Sequence, residues 1–146
     1  KTSTVNFSLL SSEMREDLSL LTEEKGIHLD WKTAVREKEL FLDAKVLYRI
    51  LENLLGNAVR FAKKEIQVYF SYEQGRLAVT VADDGPGFSA KVLNNQDRYA
   101  YADSGDEEHL GMGLAICRVL CRKHGGQLIL SNASSGGAVI KFNLLS

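Results

Sequence analysis

Proline is nearly absent, with one residue in 146, so proline-kinked helices and polyproline linkers play no part in this chain. Charge of one sign is also lacking. A formal net charge of −1 leaves no electrostatic footprint for nucleic acid or an anionic membrane, and neither is expected as a direct partner. No apolar run approaches the ~20 residues of a membrane-spanning helix. Cysteine is limited to Cys117 and Cys121, and histidine to three residues. Neither His109 nor His124 stands at a ligand spacing from the cysteines, so a zinc site lacks partners. Two reduced core thiols are expected, as in a reducing compartment. The P-loop pattern G-x-x-x-x-G-K-[ST] is missing. So is the Rossmann G-x-G-x-x-G, because Gly111-Met112-Gly113 is followed by Ile116 at the position of its last glycine.

The rest of the composition is that of a soluble globular domain, 45% hydrophobic and 25% charged, long enough to bury about 68–70% of its unfolded surface in one unit. Residues 1–146 are therefore read as a single domain. The chain opens at Lys1 inside a plausible strand, and is read as a piece of a longer protein.

Apolar spacing organises the chain. Val5 to Phe7 reads as a short strand. Leu10, Met14, Leu18 and Leu21 mark an amphipathic helix ended by Gly26. Ile27–Trp31 and Glu39–Leu42 are extended. Asp43 caps a helix running to about Ala62, with a core stripe of Leu47, Ile50, Leu51, Leu54 and Ala58. Ile66, Val68, Phe70 and Tyr72 alternate into the turn Glu73-Gln74-Gly75, and Leu77, Val79 and Val81 alternate back. The strand runs into Asp83-Asp84-Gly85-Pro86-Gly87. Residues 89–110 show little periodicity, and a connection that long reads as a functional lid. A helix from Gly113 to His124 and strands at Gln127–Ser131 and Ala138–Leu144 complete the order. This predicts an α+β two-layer sandwich, a mixed and mostly antiparallel sheet packed on three helices.

Three clusters carry chemistry. Asn53, Asn57, Arg60 and Lys64 are spaced 4, 3 and 4 and would share one helix face. A carboxamide oxygen there can complete a magnesium shell whose other ligands are phosphate and water, and a guanidinium can meet phosphate. Asp83, at a strand end before two glycines, can accept the exocyclic amine of adenine. Gly111-Met112-Gly113 opens a helix whose free N–H groups suit an anion. Taken singly, they read more readily as a solvated polar face, an Asp-Gly turn and a glycine turn.

Order and spacing together make a stronger case. Asn53-Leu-Leu-Gly-Asn57-Ala-Val-Arg60-Phe61 resembles the N box of the histidine-kinase ATP-binding domain, of the GHKL superfamily. Val81-Ala-Asp83-Asp-Gly85-Pro-Gly87-Phe88 is similar to its first glycine box. His109-Leu-Gly111-Met112-Gly113-Leu114 and the following helix resemble the second, and Gly136-Gly137 before the last strand the third. The likeness runs from about Val5 to Leu144.

That resemblance implies ATP and Mg2+ as ligands. Asn57 would hold the metal, assisted by Asn53. Arg60, where the family usually has lysine, would contact phosphate and is the catalytic candidate, with Phe61 beside the nucleotide. Asp83 would fix adenine, with Gly85 and Gly87 shaping the wall. Gly111, Met112, Gly113 and Leu114 would line the phosphate side, and Arg98 is the lid candidate. Ala138 stands where the family commonly has threonine or serine. The implied activity is a protein histidine kinase of two-component signalling, acting on phosphoacceptor dimerisation helices of its own full-length chain and, through them, on a response regulator receiver domain. None of His28, His109 and His124 sits in a long helix beside an acid, so the acceptor is expected outside this chain. The expected setting is the cytoplasmic part of a membrane-anchored sensor, the isolated domain being a monomer. A hydrolytic ATPase or serine kinase of the superfamily is an alternative, disfavoured because Asn53 stands where those families carry a glutamate base. A degenerate nucleotide-binding module without catalysis is another.

Overall fold

The computed structural model of the chain describes residues 1–96 and 111–146. Strand β1 (Ser3–Asn6) leads directly into α1 (Phe7–Glu23), followed by β2 (His28–Thr33), β3 (Glu39–Leu42) and α2 (Ala44–Phe61). Then come β4 (Glu65–Glu73), β5 (Arg76–Asp83), the short α3 (Ala90–Asn94), α4 (Gly111–Lys123), β6 (Leu128–Asn132) and β7 (Ala138–Leu145).

Five strands form one mixed sheet in the order β2-β4-β5-β7-β6, parallel only between β2 and β4. The expected α+β sandwich is present, with α1, α2 and α4 as its helical layer and α3 as a fourth, one-turn helix among the described residues. The weak periodicity of residues 89–110 predicts a lid and no helix there. A single turn capped by Ser89, whose Oγ accepts the Val92 N–H at 3.2 Å, is too short to show a 3.6-residue period. β1 and β3 pair separately as a two-stranded antiparallel sheet.

The predicted first strand is displaced. Phe7, expected in it, is instead the first residue of α1, because the Asn6 side chain caps the helix by accepting the Leu9 N–H at 3.0 Å. Phe7 then turns inward, 2% exposed, and meets Phe70 edge-on at 5.5 Å between ring centroids.

α2 is the centre of the molecule. Asp43 caps it by accepting the Val46 N–H, and Leu47, Ile50, Leu51, Leu54 and Leu55 are wholly buried between α1, α4 and the sheet. Burying five such side chains contributes on the order of 10 kcal/mol of gross driving force, which fixes the helix and hence the register of the polar residues on its other side. The β4–β5 hairpin turns at Gln74 and Gly75, both left-handed (φ 52° and 76°), the geometry of a two-residue primed turn.

Candidate functional site

The site grows from the last two turns of α2. Asn53 and Asn57 are half-buried, and Arg60 is exposed with its guanidinium carbon 5.4 Å from the centroid of the half-buried Phe61 ring. Asn53 donates from Nδ2 to the Arg49 carbonyl at 3.1 Å, and the Cys117 thiol donates to the Ile50 carbonyl at 3.7 Å, which ties α4 to α2. Cys117 and Cys121 are both buried and unoxidised, and burial pushes each thiol up to about 12. They are core residues, as expected.

Lys64 is a correction. The sequence spacing placed it on the same helix face as Asn53, Asn57 and Arg60, but α2 stops at Phe61 and Ala62 is extended (ψ 145°). Asp84 explains the break. Its carboxylate accepts the backbone N–H groups of Lys63 (2.7 Å), Lys64 (3.0 Å) and Glu65 (3.2 Å), pulling the chain off the helix axis and into β4. Desolvation raises the Asp84 pKa, yet these N–H donors outweigh it and hold the carboxyl below its ordinary range.

Asp83 lies at the end of β5, half-buried, and its Oδ1 accepts the Gly85 N–H at 2.8 Å. The glycines that follow, Gly85 and Gly87 among them expected to shape the pocket wall, lie tight against other backbone. A Cβ at Gly85 would lie 2.4 Å from the Phe61 carbonyl oxygen, one at Gly87 2.3 Å from that of Gly136, and one at Gly137 2.0 Å from that of Asp83. Backbone takes most of this space, with the Asn132 side chain beside it at Gly87, so that the end of α2, the Asp83–Gly87 loop and the β6–β7 turn pack closely on one another.

The second glycine box meets α2 one end further back. A Cβ at Gly113 would lie 3.3 Å from Asn53 Oδ1. Gly85 thus sits on Phe61 and Gly113 beside Asn53, eight residues apart on one helix, which is about 12 Å along the axis. Asn57 lies midway, one turn from each. The first and second glycine boxes are thus both set against α2, and the third against the first.

Other expected residues fall differently. Leu114 is 5% exposed and belongs to the hydrophobic core, so its side chain packs the helix rather than lining a phosphate site. Gly111 and Met112 form the first residues of α4. Arg98 lies outside the described residues, as do His109 and the part of the expected 89–110 lid from 97 to 110. Asp84 was missed as a structural carboxylate although it stands beside Asp83. Asn132 was missed too, and it holds the backbone of Phe88 through both its amide atoms. Its only sequence signal was a position next to the small-residue turn.

Similarity to known proteins agrees with this geometry. Residues 42–146 match the family model described as histidine kinase-, DNA gyrase B-, and HSP90-like ATPase. The sensor protein KdpD of Clostridium acetobutylicum is 34% identical over 111 residues, covering 70% of this chain and 12% of that protein. The sensor histidine kinase SpaK of Bacillus subtilis is 29% identical over 140 residues, covering 92% of this chain and 30% of that protein. The chain thus spans under a third of the length of these curated relatives. Full-length ShkA, solved in complex with AMPPNP, superposes with a TM-score of 0.83 at 28% identity over 99% of this chain and 31% of that one. The nucleotide-free catalytic domain of histidine kinase ThkA has a TM-score of 0.83 at 20% identity, covering 99% of this chain and 95% of that one, and carries the fold alone. The chain belongs to the family of histidine kinase-, DNA gyrase B-, and HSP90-like ATPases, as a catalytic domain of the sensor histidine kinase type.

Proposed function

We propose that this domain binds magnesium-ATP and presents the γ-phosphoryl group to a histidine on the dimerisation helices of its own longer chain, for relay to an aspartate of a response regulator receiver domain. The observation that supports this most is the convergence on α2. Gly85 packs on Phe61 and Gly113 beside Asn53, about 12 Å apart, a span suited to adenine at one end and the phosphates at the other.

In this reading Asp83 accepts the exocyclic amine of adenine while its Oδ1 stays oriented by the Gly85 N–H. Phe61 gives an apolar wall. Arg60, held against the Phe61 ring, brings a fixed positive charge to the phosphates. The backbone N–H groups at the start of α4, unsatisfied within the helix, face the same charge. Among the described residues no group of three His, Cys, Asp or Glu could hold a metal. One carboxamide, that of Asn57, suffices for an ion whose other ligands are phosphate oxygens and water. Bound there, magnesium would neutralise phosphate charge. The chain's own contribution is then positioning, and no general base is required of it. Asn53 cannot accept a proton near neutral pH, which favours transfer to an external histidine over hydrolysis. No described helix is long and apolar enough to cross a membrane, and a membrane-anchored sensor with this domain on the cytoplasmic side is part of the proposal.

The test is a thermal melt of the chain with magnesium and ATP. At a hundredfold excess over Kd, ligand should add about 2.7 kcal/mol and raise Tm by several degrees. An unchanged Tm with saturating magnesium-ATP overturns the reading.

A further inference from the structure

We infer that Asn132 is a positioning residue for the adenine side of this site. The inference rests on the nucleotide reading above and goes beyond it, because Asn132 belongs to none of the glycine or asparagine boxes.

β6 is the edge strand of the five-stranded sheet, and an edge presents backbone groups that no strand pairs. Side-chain amides pair them here. Gln96, just past α3, donates from Nε2 to the Leu130 carbonyl at 2.8 Å and accepts the Leu130 N–H on Oε1 at 3.0 Å. Two residues along the strand the roles reverse. Asn132 accepts the Phe88 N–H on Oδ1 at 2.8 Å and donates from Nδ2 to the Phe88 carbonyl at 2.8 Å. The segment from Phe88 to Gln96, with α3 inside it, is therefore fastened to β6 at both ends. Only a primary amide carries a donor and an acceptor spaced to match one residue of backbone. A carboxylate would oppose the carbonyl, and a hydroxyl would leave one partner unmet.

The two fastenings differ in what they hold. Gln96 secures the far end of α3. Asn132 grips the residue after Gly87, and its Oδ1 would be 2.8 Å from a Cβ at Gly87. The loop behind it contains Gly85 and starts at Asp83. Asn132 thus fixes the height of that loop over the sheet, and with it the carboxylate that meets adenine, without touching the nucleotide itself.

The experiment measures the affinity of the whole chain for ATP and for adenosine by titration, together with Tm, in wild type, Asn132→Asp and Gln96→Glu. Asn132→Asp keeps an acceptor for the Phe88 N–H but sets a carboxylate against its carbonyl. The expected result is an equal loss, about tenfold, for ATP and adenosine, because the defect lies on the base side. Gln96→Glu, whose carboxylate likewise opposes a carbonyl but has Arg118 Nη2 at 3.4 Å to offset its charge, should leave adenosine affinity within about twofold of wild type, since it lies at the end of the segment remote from adenine. Wild-type affinities in Asn132→Asp, with or without a lowered Tm, overturn the inference and leave Asn132 a structural residue. Equal losses in both variants overturn it as well, since α3 as a whole would then be responsible. Should Asn132→Asp fail to fold, Asn132→Ser, which retains one of the two bonds, is held to the same expectations. A wild-type chain that binds neither ligand refutes the nucleotide reading instead, an outcome separate from any behaviour of the variants.

Discussion

The two ends of the proposed pocket are built by different means. At the Asp83 end backbone lies on backbone, with Gly85 against the Phe61 carbonyl and Gly137 against that of Asp83, too close for any Cβ, and the Asp84 carboxylate stitched to three successive N–H groups. At the Asn53 end a Cβ at Gly113 would meet a side-chain oxygen at 3.3 Å, which can give. The first end is a rigid seat. The second is an adjustable one, which suits the proposed entry of phosphate and metal there.

Substitutions that add one methyl group at each end sharpen the contrast. Gly137→Ala forces a carbon into the Asp83 carbonyl and should cost about 3 kcal/mol in urea unfolding, near the upper range for overpacking. A loss below about 1 kcal/mol would mean that the Asp83 end is not rigid. Asp83→Ala comes next. It should weaken ATP and adenosine alike by about tenfold to a hundredfold while costing about 1 kcal/mol of stability for the lost Gly85 bond. Retained affinity removes Asp83 from the site. Gly113→Ala should leave stability within about 1 kcal/mol, helix propensity offsetting the tight contact, and should weaken ATP more than adenosine. Equal weakening would place Gly113 away from the phosphates.

The smallest effect expected is from Asp84→Asn. Its folded pKa lies below the ordinary carboxylate value of about 3.9. Its stabilising contribution is therefore complete above about pH 5 and is lost as pH falls through the folded pKa. Asp84 is exposed, so after discounting for solvent the variant should lose about 1 kcal/mol at pH 7. The gap from wild type should close below the folded pKa of Asp84. A gap that persists there would show that Asp84 acts by something other than its charge.

What was legible from sequence was whatever is local. The β4–β5 hairpin follows from alternation, and its register places Glu73 opposite Arg76 around a turn only two residues long. The Asp43 cap and the α2 stripe follow from periodicity, Leu55 alone escaping it. The boxes are each contiguous, so their identity could be read without their arrangement. The long-range fastenings were not legible. Asp84 reaches back 19 to 21 residues to end α2, and nothing in the spacing of Asn53, Asn57, Arg60 and Lys64 shows that the last has left the helix. Asn132 reaches back 44 residues to Phe88. Phe7 looked like strand because its neighbours are extended, yet one capping side chain at Asn6 decides otherwise. A glycine's purpose is equally hidden, since a pattern shows where space is kept and only the fold shows what fills it.

In the proposed site Asn57 and Asp83 serve opposite ends of one magnesium-nucleotide. Titrating ATP into wild type and Asn57→Ala, each with magnesium and with EDTA, tests it directly. Wild type should bind ATP about tenfold or more tightly with the metal, while Asn57→Ala should lose that gain and keep the EDTA affinity of wild type. The same magnesium dependence in both proteins would contradict it.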